Sequence, residues 1–428
     1  MTGAGQAEGI DVSLIIVSRG RPDHLRLVMS ALHHQTTARF ELIVVSDQPN
    51  LDGFPGADRA THVPYDQPNI SAARNLGLAE AQAKIVAFCD DDAVPDPTWL
   101  ERILAPFSDA EVGISAGFTR GRNGIEFQWK AVECDENGDD RPVDLKTQET
   151  KIRRPAEGYY PRAQGTNCAF RKSALLQAGG FDEGFRFFLD ETDVCLRLGQ
   201  AGWATAFVPG AQVHHGFASS EHRSDARVPK SLFEIGASKA LFLAKHSRER
   251  DVHSINRLLA DRRRQAISLM VDGRIEPRDV PRLMATLEEG LKSPNQSKLM
   301  PAADSKPPAA PKPFLAITHK GITAVAGLHY FRSRLFSAAQ KVSAQGKTPI
   351  IYRYSLTGLF HRRFFHPSGF WVQVGGLFGR SHRREPIFRL STVKRRTHQE
   401  VASTRDTFKV SQIVFIKFRS DSVTNLTE

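Results

Sequence analysis

Apolar positions in the first half of the chain fall into short β-branched runs alternating with helical spacing. Val12–Val17 is one such run and predicts a buried strand. Ser18-Arg19-Gly20-Arg21 reads as a turn, and Pro22 suits a first helical turn. Leu25, Val28, Met29 and Leu32 then recur at i, i+3, i+4 and i+7, one face of a helix. Phe40–Val45 predicts a second strand ending in Ser46-Asp47, and 69–83 a helix with Ser71 as its cap. Ile85–Cys89 predicts a strand buried on both faces. Trp99, Leu100, Ile103, Leu104 and Phe107 mark another helix, and Val112–Phe118 another strand. This alternation predicts a doubly wound parallel sheet. Residues 119–160 are polar and read as a long loop or hairpin. Order resumes at Gly165–Phe170, followed by a short helix at 172–178, a Gly179-Gly180 turn, a helix opening at Asp190, and strand character from Trp203 to Val208 and at Val213-His214-His215.

Beyond Pro229 the spacing turns helical as far as Lys292, with Leu232, Ile235 and Leu241–Leu243 on one amphipathic face and Leu258, Leu259, Ile267, Leu269 and Met270 on another. Residues 293–313 are rich in Pro, Ala, Ser and Lys and read as a linker. Phe314–Ile317, a helix over 327–344, Thr348–Tyr352 and Phe370–Val374 predict a small or truncated second α/β unit. The glycines of Gly375-Gly376-Leu377-Phe378-Gly379 lack phosphate-loop spacing.

Composition changes this picture in two places. The 428 residues carry a formal charge of +11, but Phe331–Glu400 holds 14 Lys/Arg against 2 Asp/Glu, 14 − 2 = +12, leaving about −1 for the rest. The basicity therefore belongs to the C-terminal region. Its Arg/His/Phe mixture, as in Leu359–Phe365, fits either a solvated face or contact with anionic lipid or glycan, and no nucleic-acid-binding module accompanies it. The cysteines, at 89, 134, 168 and 195, form no C-x-x-C pair, so neither a zinc site nor a disulfide framework is expected. No apolar run reaches the roughly 18–20 residues that span a bilayer. Met1–Ile10 lacks a signal-peptide core, and a cytoplasmic location is the expectation.

The candidate chemistry sits where the Ile85–Cys89 strand ends in Asp90-Asp91-Asp92. Three adjacent carboxylates repel one another, and a cation relieves that repulsion. Oxygen donors suit a hard ion such as Mg2+ or Mn2+, and the carboxyl edge of an α/β sheet is where ligands bind. The plain alternative is a polar turn before Pro95.

Residues 11 to about 220 resemble a family 2 glycosyltransferase of the GT-A fold. The matching pieces are Ser18–Arg21, Val45-Ser46-Asp47, Ala73-Arg74-Asn75, Asp90-Asp91-Asp92, Gly165-Thr166-Asn167, Gly179–Glu183, Asp190–Leu198 and Val213-His214-His215, in that order. The resemblance implies a Rossmann-like, mostly parallel catalytic domain at 11–225; spacing and composition add a helical extension at 226–292, the linker at 293–313, and a smaller basic α/β region at 314–428. It implies inverting transfer from a nucleotide-diphosphate sugar to a hydroxyl of a glycan, glycolipid or polysaccharide, as in cell-envelope polysaccharide synthesis. It places Mn2+ or Mg2+ at Asp90 and Asp92 with His215, His214 being a competing choice. Ser18, Asp47, Arg74, Asp90 and Asp91 fall on the donor side and Thr166 and Asn167 on the acceptor side. Glu191 is the base by position, with Asp190 second because the usual Glu-Asp order is reversed, and Asp193 a helix cap. Contact of 331–400 with an anionic membrane at its inner face belongs to the same expectation. A nucleotidyl- or phosphoryl-transferring enzyme, or a sugar-nucleotide-binding scaffold, would use some of the same residues.

Overall fold

Val12–Ser18 lies in the middle of the main sheet because every position along it is apolar or small enough to be covered on both faces. The computed structural model describes residues 10–37, 39–145, 148–216, 218, 224, 228–247, 252–300, 313–314 and 321–417, with the backbone alone at 421–425. From edge to edge the sheet runs Lys151–Arg153, Ala204–His215, Val112–Arg120, Asn167–Arg171, Ile85–Cys89, Val12–Ser18, Phe40–Ser46 and Ala60–Pro64. Val12–Ser18 is parallel to both its neighbours, and Ala204–His215 is parallel to Val112–Arg120. The expected α/β architecture with a mostly parallel sheet is present.

Two differences from a plain doubly wound sheet shape the site. Asn167–Arg171 is antiparallel and sits between Ile85–Cys89 and Val112–Arg120. An antiparallel strand begins at the edge where its neighbour ends, so Asn167 pairs with Cys89 and Thr166 lies beside Asp90. Residues 204–215 form one continuous strand rather than two, and its end folds against Ala93–Pro95 so that His215 pairs with Ala93. The polar stretch at 119–160 is more ordered than a loop. It supplies Phe127–Trp129, and a three-stranded sheet is made of Tyr160–Arg162, Val132–Cys134 and Asp140–Pro142.

Helix Ile70–Glu80 packs on one face of the main sheet, where Phe88, Phe170 and Phe181 stack edge to face. Its cap is Asn69, which accepts from the Ala72 N–H, and not Ser71, whose hydroxyl donates to the Phe185 carbonyl. All four cysteines are buried and unpaired, as their spacing implied.

Helix Pro22–Leu32 and helix Trp99–Leu104 cover the opposite face, and a second sheet lies beyond them. That sheet runs Arg362–His366, Phe370–Gly376, Thr348–Ser355, Ile322–Leu328, Val410–Ile416 and Asp421–Asn425. Its first strand is Ile322–Leu328. Of the strand expected at Phe314–Ile317 only Phe314 is described, and 315–317, like 301–312 of the linker, lie outside the described residues. Ala324, Ile350, Tyr352, Trp371, Phe408 and Ile413 share one apolar cluster with Leu25, Met29, Trp99 and Leu100. The two sheets therefore enclose a single layer of core.

The stretch after Pro229 folds as three helices, Phe233–His246, Val252–Val271 and Asp279–Lys292. A buried carboxylate ties them to the main sheet. Asp193 was expected to cap the Asp190–Gln200 helix. Instead it pairs with Arg197 at 2.6 Å, Lys245 at 2.8 Å and His246 at 2.8 Å, while Lys245 also reaches Asp182. Burial raises the Asp193 pKa, but the His246 hydrogen bond and the Arg197 and Lys245 charges more than reverse this and hold it below the carboxylate range. The stabilisation from this group is thus complete above its ordinary 3.8 and is lost as pH falls through the lower folded value. Replacing Asp193 with Ala strands buried cations and should cost about 3–5 kcal/mol at neutral pH, measured by urea unfolding. The gap from the wild-type chain should narrow as the pH is taken below 3.8.

Candidate functional site

The carboxyl ends of Val12–Ser18 and Ile85–Cys89, the start of the Asp190–Gln200 helix and the Phe127–Trp129 strand surround one cavity of about 900 Å³. Asp90, Asp91, Asp92, Arg74, Thr166, Asp190 and Glu191 all line it. The acidic triplet and the second acidic group, about a hundred residues apart in sequence, thus face a common space.

Each aspartate of the triplet has its own surroundings. Asp90 is the most accessible, with 31% of its side chain exposed, and it accepts from the Thr166 hydroxyl at 2.6 Å. Asp91 is fully covered. It accepts from Ser18 at 2.7 Å and lies 3.1 Å from the Arg21 guanidinium, so it anchors the first turn. Burial, opposed by Arg21, pushes its pKa up to about 7. Asp92 accepts from the Ala218 N–H at 2.7 Å and lies 3.4 Å from His215. Burial works against its charge, but His215, that N–H and Arg21 outweigh it and hold the pKa below the usual range.

Donor atoms of Asp90, Asp92 and His215 all fall within 4.8 Å of one another. The choice between the two histidines is resolved by where they point. His214 turns to the other side of the strand, where it bonds Asp96 at 2.7 Å and packs on Trp371 of the second sheet. Alternation along a strand sends neighbours to opposite faces. Two carboxylates and an imidazole nitrogen form a donor set that fits Mn2+ well and Mg2+ adequately.

Asp190 and Glu191 open their helix after Leu189, whose backbone is left-handed with φ of 65°. The loop before it is fixed by helix Ile70–Glu80: Asn69 and Asn75 donate to the carbonyls of Glu183 and Phe181. Arg74, from the same helix, ion-pairs with Asp190 and approaches Asp90 at 3.7 Å. Asp190 is buried, and burial raises its pKa well above the carboxylate range despite Arg74. Glu191 keeps 17% of its side chain exposed and meets Arg162 at 3.4 Å. Burial raises its pKa, but Arg162, the hydrogen bond with Asp190 and the Arg74 charge together outweigh it and hold the group below its ordinary 4.5. Both acids line the cavity, and Glu191 is the more exposed of the pair.

Two expected site residues lie elsewhere. Asp47 is not in the cavity wall; its carboxylate accepts the Gly20 N–H at 2.7 Å and pins the turn that carries Arg19 and Arg21. The acceptor-side expectation for Asn167 is corrected. Asn167 is fully buried, accepts from Trp99 Nε1 at 2.7 Å and donates to the carbonyls of Phe118 and Ala211. It fills the space over Gly117, where a Cβ would fall 2.3 Å from its amide oxygen. Sequence reasoning did not find Arg21, Arg162, Trp129 or Arg262, all in the cavity wall. Arg262 comes from the Val252–Val271 helix and lies over the Phe188 ring. These residues follow no local pattern, since their place depends on which elements meet.

Residues 13–178 match the family model described as Glycosyl transferase family 2. Over 249 residues the chain is 29% identical to the pre-mycofactocin glycosyltransferase of Mycobacterium tuberculosis, a match covering 55% of this chain and 48% of that protein. The chain thus spans about half the length of that relative. A stretch of 72 residues is 39% identical to the N-acetylglucosaminyl-diphospho-decaprenol L-rhamnosyltransferase of the same organism, covering 17% of this chain and 24% of that protein. Among solved structures, the mannosyltransferase PcManGT of Pyrobaculum calidifontis, in complex with GDP-Man and Mn2+, is similar over 66% of this chain and 86% of that one. Its TM-score is 0.40 and its identity 17%.

The position of Asn167 gives a direct test. Asn167→Ala removes the donor to two carbonyls and the acceptor of one indole N–H, and should lower stability by about 3–5 kcal/mol in urea unfolding. A change below about 1 kcal/mol would contradict the buried placement.

Proposed function

We propose that this chain, whose residues 13–178 match the family 2 glycosyl transferase model, transfers a sugar, with inversion, from a nucleotide-diphosphate sugar to an acceptor hydroxyl. The observation that carries this reading is the shared cavity: Asp90 and Asp92, which lie beside His215, line the same space as Glu191. Asp90, Asp92 and His215 are the residues that would hold Mn2+ or Mg2+. A cation bound there supplies Lewis-acid neutralisation of the departing nucleoside diphosphate.

The chain's own residues account for the remainder. Glu191 accepts the proton of the acceptor hydroxyl as its oxygen bonds to the anomeric carbon. The bond from that carbon to the diphosphate oxygen breaks on the opposite side, which inverts the centre. Arg162 keeps Glu191 ionised and ready as a base. Arg74 holds Asp190 and Asp90 in fixed relation, so the two halves of the reaction are aligned before substrates enter. Ser18, Asp47 and Asp91 act on the donor side by fixing the Ser18–Arg21 turn. Thr166, expected on the acceptor side, donates its hydroxyl to Asp90 and so orients it.

The acceptor in this reading is a glycan or lipid-linked hydroxyl reached from the cytoplasmic side of a membrane, within cell-envelope polysaccharide synthesis. The lipid-linked substrate in the name of the rhamnosyltransferase relative supports that class.

A panel of nucleotide sugars assayed with Mn2+ tests the proposal. Glu191→Gln should lower transfer about 10²–10⁴-fold with donor binding retained. Asp92→Ala should lose the metal-dependent part of donor binding. Release of nucleoside monophosphate or pyrophosphate instead of nucleoside diphosphate would refute it. The pH profile has a stated sign: a base must be deprotonated, so activity falls as pH drops through the Glu191 pKa. Because that pKa lies below 4.5, the rate above it should be independent of this group, and Arg162→Ala should move the acid limb upward.

A further inference from the structure

The second sheet carries a surface that the reaction does not use. Leu356 and Leu359 in one loop are 66% and 63% exposed, and Ile387, Phe388 and Leu390 in another are 72%, 57% and 74% exposed. The two loops touch. Phe388 packs against Phe378, and a Cβ on Gly358 would meet the Phe388 ring at 3.8 Å. Between them runs the glycine cluster that had no phosphate-loop spacing. A Cβ at Gly376 would fall 2.1 Å from the Thr357 carbonyl oxygen, and one at Gly379 would fall 2.0 Å from that of Leu359. The glycines let the first loop lie flat on the turn, with bonds from the Gly376 N–H to Leu359 and from the Phe378 N–H to Thr357. Their role is to hold an apolar loop outward.

The chain on either side of Ile387–Leu390 is rich in cations. From 380 to 395 the chain has Arg380, Arg383, Arg384, Arg389, Lys394 and Arg395 against Glu385. Arg389 is bonded to Gln399, a neutral partner, and Arg380 lies over the Phe360 ring, so neither charge is cancelled there. Glu385 is taken up by the Ser381 N–H. Exposed large apolar side chains in a cation-rich segment fit a bilayer whose headgroups are anionic: the apolar groups enter the headgroup–acyl boundary and the cations meet phosphate. A second copy docking face to face would bring the same arginines together, which disfavours that occupant.

The position is consistent with this. The Arg383 N–H donates to the Glu126 carboxylate at 2.7 Å, and the Arg363 N–H to the Asn123 carbonyl at 2.8 Å. Residues 123–126 lead directly into Phe127–Trp129 of the cavity wall. No helix among the described residues is long and apolar enough to cross a membrane.

We propose that the loops 356–360 and 385–391 are a membrane-docking surface for an anionic bilayer, set beside the cavity so that a lipid-linked acceptor is delivered to it. The delivery role rests on the transferase reading; the docking itself does not, because it is measured without catalysis.

The test is flotation of the full chain with vesicles of phosphatidylcholine alone and of phosphatidylcholine mixed with phosphatidylglycerol. The wild-type chain should float with the mixed vesicles only, and less so at raised salt. Arg383→Ala with Arg384→Ala should weaken binding about thirtyfold, at roughly fivefold per surface arginine. Leu359→Ser with Phe388→Ser should reduce it about tenfold or more. All four side chains lie on the surface loops, and thermal unfolding should confirm an unchanged fold. The proposal is overturned if the wild-type chain floats with neither vesicle, or if both variant pairs bind as the wild type does. It is equally overturned if sedimentation shows self-association that the Leu359/Phe388 pair abolishes while vesicle binding is absent.

Discussion

Everything in the cavity depends on keeping several carboxylates close together without their forcing one another apart. Two unit charges 4.8 Å apart, the limit for the Asp90–Asp92–His215 group, repel by about 3 kcal/mol at an effective dielectric near 20. The fold meets this with arginines from separate elements. Arg21 stands by Asp91 and Asp92, Arg74 joins Asp190 to Asp90, and Arg162 stands by Glu191. The result is an ordered set of acids in which some are structural and some are free to act. Asp91, Asp92 and Asp190 are buried and held by neighbours, whereas Asp90 and Glu191 keep part of their side chains exposed.

Much of this was readable along the chain. The abrupt end of Ile85–Cys89 in three aspartates is a local signal, and so is the acid pair that opens the Asp190 helix. The alternation of runs and helical spacing also conveyed the α/β class. Strand order was not readable, since alternation says nothing about which strands become neighbours. The antiparallel Asn167–Arg171 strand enters the middle of the sheet, and that placement decides the fate of two adjacent residues. Thr166 stays at the cavity, while Asn167 turns inward to Trp99. Asp193 was similarly opaque. Its partners Lys245 and His246 lie some fifty residues further on, in a helix whose docking no local pattern reveals. Ile322–Leu328 escaped notice because Thr, Ala and Gly fill half of it, and such residues are buried here only because a larger sheet covers them.

The helical extension and the second sheet are both joined to the catalytic part through buried polar contacts. Asp193 and Asp182 fasten the first helix of the extension. On the other side, Asp96 and His214 lie under Trp371, next along the strand from His215. The strand end that presents His215 is thus packed from behind by residues more than 150 positions later in the chain. Precise placement of the His215 imidazole is a matter of what supports its neighbours.

The single apolar layer enclosed by the two sheets also has a temporal side. Chains emerge from the ribosome N-terminus first, and early portions settle before later ones exist. The Pro22–Leu32 and Trp99–Leu104 helices would have sheltered only one of their sides at that stage. The other side waits for Trp371, Phe408 and Ile413. For most of its synthesis this protein therefore carries an oily flank with no permanent cover, a period during which holding chaperones would find their best purchase.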